Sequence, residues 1–80
     1  MKDLLEYILT QIIDNTDELS IEEETEDSIL RFNVSLAEED YPKVIGKRGL
    51  TIKGITDILR LHNSKAHPED PTKIYVNIRS

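Results

Sequence analysis

Two glycines bracket two cations in Gly46-Lys47-Arg48-Gly49, within the longer run Val44-Ile45-Gly46-Lys47-Arg48-Gly49-Leu50-Thr51-Ile52-Lys53. Glycine admits positive φ angles and lets a second backbone come close, so the bracket can turn sharply and press against a chain of phosphates. Lys47 and Arg48 add full positive charges, and a helical pattern starting near Leu50 would aim its first N–H groups at the same place. The chemistry this combination suits is anion binding. The bare spacing also fits a tight turn between two helices, so the surrounding elements have to decide.

Other reactive groupings are absent from the sequence pattern. His62 and His67 stand five residues apart near Glu69 and Asp70, but no cysteine assists them and the prolines at 68 and 71 offer no helical ligand face, so no metal site is expected. Ser20, Ser28, Ser35 and Ser64 lie in no nucleophile motif, and no two carboxylates share an evident apolar cleft. Neither enzymatic activity nor a cofactor is expected. With no cysteine there is no disulfide framework, which fits a reducing compartment. No apolar run approaches the roughly 18 residues of a membrane helix, and the acidic start Met1-Lys2-Asp3-Leu4-Leu5-Glu6 is unlike a signal peptide. A cytoplasmic protein with no membrane attachment and no small-molecule substrate is expected.

The net charge of −6 argues at first against a polyanionic partner, but its distribution reverses the impression. Residues 1–42 carry −11, residues 43–65 carry +5, and residues 66–80 are balanced. Screening limits exposed charges to a reach of about 8 Å at physiological salt, so a ligand on the middle segment feels mainly the local positive charge. The acidic runs Glu22-Glu23-Glu24 and Glu38-Glu39-Asp40 read as solvated faces.

Eighty residues hold one core, hiding roughly 60% of the unfolded chain's surface, so residues 1–80 are read as a single domain. Leu4, Leu5, Ile8, Leu9, Ile12 and Ile13 form one helical stripe. Leu19 and Ile21 alternate as a short strand; beyond a turn at Glu26-Asp27, Leu30, Phe32, Val34 and Leu36 alternate strictly as a second. Ala37 to Ile45 reads as a short helix with an acidic start, ending at Gly46. Ile52, Ile55, Ile58, Leu59 and His62 fall at helical spacing, residues 63–72 read as a loop, and Ile74, Val76 and Ile78 alternate as a last strand. The first two strands can pair as an antiparallel hairpin, and the third, reached through two helices, suits a right-handed parallel crossover beside the second. The predicted fold class is α/β (α+β), a two-layer sandwich of order α-β-β-α-α-β, with a three-stranded mixed sheet and three helices on one face.

An apolar-Ile-Gly-x-x-Gly loop joining two helices, here Val44-Ile45-Gly46-Lys47-Arg48-Gly49, resembles the signature of the KH (K-homology) domain. The extra helix and strand on the N-terminal side resemble the prokaryotic, type II arrangement. The length and the opening Met1-Lys2-Asp3-Leu4-Leu5-Glu6-Tyr7-Ile8 are similar to the KhpA-type bacterial proteins, each a free-standing KH domain. The resemblance covers essentially the whole chain and implies binding of about four nucleotides of single-stranded RNA, with the loop against the backbone. It implies that Gly46 and Gly49 allow close approach, that Lys47 and Arg48 meet phosphates, that Lys53 extends the basic track, that Ile45 and Ile52 help floor the bases, and that Thr51 belongs to the same RNA-binding set. At Leu50 the chain departs from the family's basic or polar preference, which implies a weaker phosphate track.

The uncovered sheet face would carry Ile29, Arg31, Asn33, Tyr75, Asn77 and Arg79. Ordinary solvent exposure explains such a mixed surface; a dimer face including Ile29, Arg31, Tyr75 and Asn77 is the alternative. The resemblance implies homodimers, heterodimers with a multidomain KH partner of the Jag type, and a regulatory or RNA-chaperone role linked to cell elongation or division. A protein-interaction module with incidental RNA contact is the rival function.

Overall fold

The computed structural model describes residues 1–66, 68–69 and 72–79. Its elements run α1 (Lys2–Thr10), β1 (Ser20–Glu26), β2 (Ile29–Ser35), α2 (Tyr41–Ile45), α3 (Leu50–Ala66) and β3 (Lys73–Arg79), with 3-10 turns at Thr16–Glu18, Glu38–Asp40 and Lys47–Gly49. The expected order is observed.

β1 and β2 pair antiparallel and β2 and β3 pair parallel, giving the strand order β1-β2-β3. Leu30, Phe32 and Val34 stand opposite Ile74, Val76 and Ile78, so the alternating apolar sets of both strands share one face. α1, α2 and α3 pack on that face: Leu5, Leu9, Val44, Ile55 and Leu59 join Phe32, Val34 and Ile74 in one buried cluster. At roughly 25 cal/mol per Å² of apolar surface, this contiguous burial is the main force holding the two layers together.

Several boundaries differ from expectation for local reasons. α1 stops at Thr10, where the N–H groups of Ile12 and Ile13 both turn back to the Leu9 carbonyl at 2.9 and 3.0 Å; Ile13 still reaches the core. The hairpin turn is Asp27-Ser28, one residue later than expected, with Asp27 at φ 52, a conformation its short polar side chain tolerates. The expected helix over residues 37–45 is divided into a 3-10 turn and the five-residue α2. Within that turn Asp40 is completely buried, contrary to its reading as part of a solvated face.

α3 extends to Ala66, so the loop expected from residue 63 starts later; His67, Asp70 and Pro71 lie outside the described residues. The buried line of α3 is Ile55, Leu59 and Asn63. At about 100° per residue, Ile58 lies about 60° from Ile55 on the side away from Leu59. It is therefore 48% exposed rather than core, and His62 is exposed as well. Among the described residues no helix is long and apolar enough to cross a membrane, and among the same residues no group of three or more His, Cys, Asp or Glu is set to hold a metal ion.

Candidate nucleic-acid interface

α2 ends at Gly46, whose N–H closes the last turn onto the Pro42 carbonyl at 2.9 Å. Gly46 then takes φ 73 and ψ −177, a conformation nearly reserved for glycine, and the chain leaves the helix axis abruptly. Arg48 adopts the left-handed conformation (φ 57, ψ 27), Gly49 has φ 73, and its N–H reaches the Gly46 carbonyl at 3.3 Å before α3 starts at Leu50. A left-handed arginine costs about 1–2 kcal/mol of backbone strain, and the Arg48 side chain is exposed.

The two glycines have different duties. A Cβ on Gly46 would fall 2.7 Å from the Thr51 Cβ and 3.0 Å from its backbone nitrogen, with the Thr51 hydroxyl closer still. A Cβ on Gly49 would meet nothing within 4 Å. Internal packing therefore demands glycine at 46, whereas the open side of 49 is the one that offers space to another molecule's backbone. Thr51 enters the site through this packing.

The six bases of residues 43–65 are not equally available. Lys47 and Arg48 are exposed and make no ion pair among the described residues. Lys43 is held by Asp14 and by Asp40, the latter at 3.3 Å, and bonding to Asp14 ahead of its contact with Asp40 raises its pKa. Lys53 lies 3.7 Å from Asp57, which also faces Arg60 at 3.7 Å. Such exposed pairs are worth about 0.2–1 kcal/mol, so Asp57 tempers Lys53 without removing its charge from the surface.

From the first turn of α3 a groove runs between that helix and the edge strand β3. Ile52, Lys53, Thr56, Asp57, Arg60, Tyr75 and Val76 line a hollow of about 260 Å³. Beyond Arg60 it continues into one of about 410 Å³ walled by residues that include Asn63, Ser64, Lys73 and Ile74. Arg60 crosses between the two elements and donates to the Ile74 carbonyl at 3.2 Å, satisfying an acceptor on a strand edge that would otherwise be unpaired.

The structure thus brings Gly46, Lys47, Arg48, Gly49 and Thr51 together at the loop and puts Ile52 and Lys53 in the adjoining groove, while Ile45 is half-buried at the end of α2. Thr56, Asp57, Arg60 and Asn63 were not anticipated at the site, although their spacing on α3 from Lys53 follows one helix face. Tyr75, expected on the open sheet face, also lines the groove, because β3 is the edge strand. On that open face Ile29 and Arg31 are half-buried and Asn77 is exposed; Asn77 donates to Asn33 Oδ1 at 3.2 Å and Asn33 to Glu24 Oε1 at 2.7 Å, forming a polar ladder across all three strands.

A family model described as "KhpA/KhpB, KH domain" matches residues 2–78. RNA-binding protein KhpA of Chlamydia caviae is 37% identical over 59 residues, covering 74% of this chain and 76% of the relative. The protein of that name from Clostridium acetobutylicum is 37% identical over 60 residues, 75% of this chain and 80% of the relative. That from Bacillus subtilis is 34% identical over 55 residues, 69% and 68% of the two chains. No solved structure matches at comparable significance.

Proposed function

The chain belongs to the KhpA/KhpB KH-domain family, and from that premise we propose that it binds single-stranded RNA through residues 46–49 and the α3–β3 groove. The observation that carries this reading is the pair of exposed cations, Lys47 and Arg48, which make no ion pair among the described residues and stand beside the open side of Gly49, one helical turn from the groove. Phosphates meet the two cations, the strand's backbone lies along Gly49, and bases enter between Ile52 and Tyr75. The curated relatives carry the name RNA-binding protein, which supports the same class of ligand. With Lys53 tempered by Asp57, and Leu50 where a cation would strengthen the track, affinity is modest.

The test is the double variant Lys47→Asp with Arg48→Asp, titrated with a labelled single-stranded RNA across a salt series. Wild-type affinity falls with salt at roughly 0.7 log units per phosphate contact, about 1.4 for two contacts, and the variant loses both affinity and slope. A folded variant that retains wild-type affinity refutes the assignment to this loop.

In the cell the proposed role is a cytoplasmic RNA chaperone or post-transcriptional regulator connected with elongation or division, as the family resemblance implies. The second reading is assembly, as a homodimer or with a Jag-type multidomain KH protein, through Ile29, Arg31, Tyr75 and Asn77. The 41% exposure of Tyr75 favours it and the hydrogen-bonded Glu24–Asn33–Asn77 ladder opposes it. A monomeric mass in solution scattering removes the homodimer form.

A further inference from the structure

We infer that Asp40 is a positioning residue for the nucleic-acid loop: its buried carboxylate ties α2, and through it residues 46–49, to the chain segment that follows α1. This rests on the assignment of RNA binding to that loop.

Asp40 stands at the N-cap of α2, yet its carboxylate makes no bond to that helix's own N–H groups. It reaches far back in the sequence instead. Oδ1 accepts the backbone N–H of Asp14 at 3.1 Å, and Oδ2 accepts the backbone N–H of Asn15 at 3.0 Å and its side-chain amide at 3.1 Å. Lys43 Nζ adds a contact to Oδ1 at 3.3 Å. Both oxygens of a group with no solvent exposure are thereby satisfied, and no buried side-chain polar atom of the described residues lacks a partner. Asn15 also donates to Glu39 at 2.9 Å, so two successive acids hold the same asparagine.

The consequence lies in the length of α2. A five-residue helix cannot hold its own direction, since isolated helices below about 12–15 residues are marginal in water. Its axis is set by what grips it: Asp40 at the start, Val44 buried in the middle, and Thr51 against Gly46 at the end. Val44 and the Thr51–Gly46 contact grip only the C-terminal part of the segment and leave its start free to swing. The Asp40 bonds remove that freedom, and Gly46 follows directly on the element they orient. The same carboxylate helps retain Lys43 at Asp14, away from the anion site, leaving Lys47 and Arg48 to define where phosphate binds.

The experiment compares wild type, Asp40→Asn and Asn15→Ala at a temperature well below every melting transition. Asp40→Asn keeps the shape of the side chain but turns an NH₂ towards a backbone donor; Asn15→Ala removes only the side-chain bonds. Titration with a labelled single-stranded RNA is read beside the backbone amide resonances. In folded Asp40→Asn the Kd rises about tenfold, the salt slope shrinks, and the amides of Gly46 to Gly49 shift while those of Phe32 and Val34 do not. A lowered melting temperature with unchanged Kd and unchanged loop amides would mean that Asp40 serves stability alone, and the inference is overturned. Should Asp40→Asn fail to fold, Asn15→Ala decides: a smaller rise in Kd with loop shifts supports the inference, and an unchanged Kd with unchanged loop amides overturns it. If wild type itself binds no RNA, the RNA assignment falls, and the loop amides alone still judge the positioning.

Discussion

The side chain of Thr51 occupies the space that a Cβ on Gly46 would need, its own Cβ lying 2.7 Å from that position. The first glycine of the loop is thus locked from inside the protein by the first turn of α3, while the second, Gly49, is left open to solvent.

Alanine substitutions separate these roles. Gly46→Ala combines a positive φ with a steric clash and destabilises the fold by about 2–4 kcal/mol. Gly49→Ala has the positive φ alone and costs about 1 kcal/mol, yet its methyl group projects into the space proposed for the RNA backbone. Urea unfolding ranks the stabilities, and titration with single-stranded RNA shows Gly49→Ala binding more weakly while remaining folded.

Asp57 holds Lys53 and Arg60 at 3.7 Å each, and it is the single acid of residues 43–65. Asp57→Asn frees both cations and removes a negative charge from the groove. RNA affinity at low salt rises about two- to threefold, with a steeper salt slope. Equal affinity at every salt concentration would place the strand away from α3.

Burial alone would raise the Asp40 carboxyl, but bonds from the backbone of Asp14 and Asn15, the Asn15 side chain and Lys43 outweigh it and hold the pKa at about 2, below the ordinary 3.8. A depressed acid contributes stability that is fully present above its unfolded value and lost as pH falls through the folded one. Urea midpoints therefore show a larger loss for wild type than for Asp40→Asn as pH drops from 3.8 towards about 2.

Neighbouring apolar residues of α3 respond oppositely. Leu59 is fully buried, so Leu59→Ala costs about 2–5 kcal/mol. Leu61 is 71% exposed, and Leu61→Lys stays within about 0.5 kcal/mol of wild type. Comparable losses in urea unfolding would mean that α3 buries a different face.

The strict alternation of Leu30, Phe32, Val34 and of Ile74, Val76, Ile78 made the sheet and its buried face legible, because a period of two has one solution on a pleated surface. The stripe of α1 and the glycine bracket were legible for the same kind of reason, each being a local pattern with a local cause. The face of α3 is less legible: Ile58 and Asn63 exchange the roles their polarity suggests, since the sheet beneath covers a line centred on Ile55 and Leu59.

By itself the sequence determined the element order, the strand pairing and a cationic glycine loop between two helices, all of which follow from periodicity and backbone freedom within a few residues. Only the tertiary structure decided that Lys43 is engaged by two carboxylates while Lys47 and Arg48 make no ion pair among the described residues, that Arg60 bridges to the edge of β3, and that Asp40 is buried. Those outcomes depend on residues 14 and 40, or α3 and β3, meeting in space, and a charge's availability is a property of its neighbours rather than of its place in the chain.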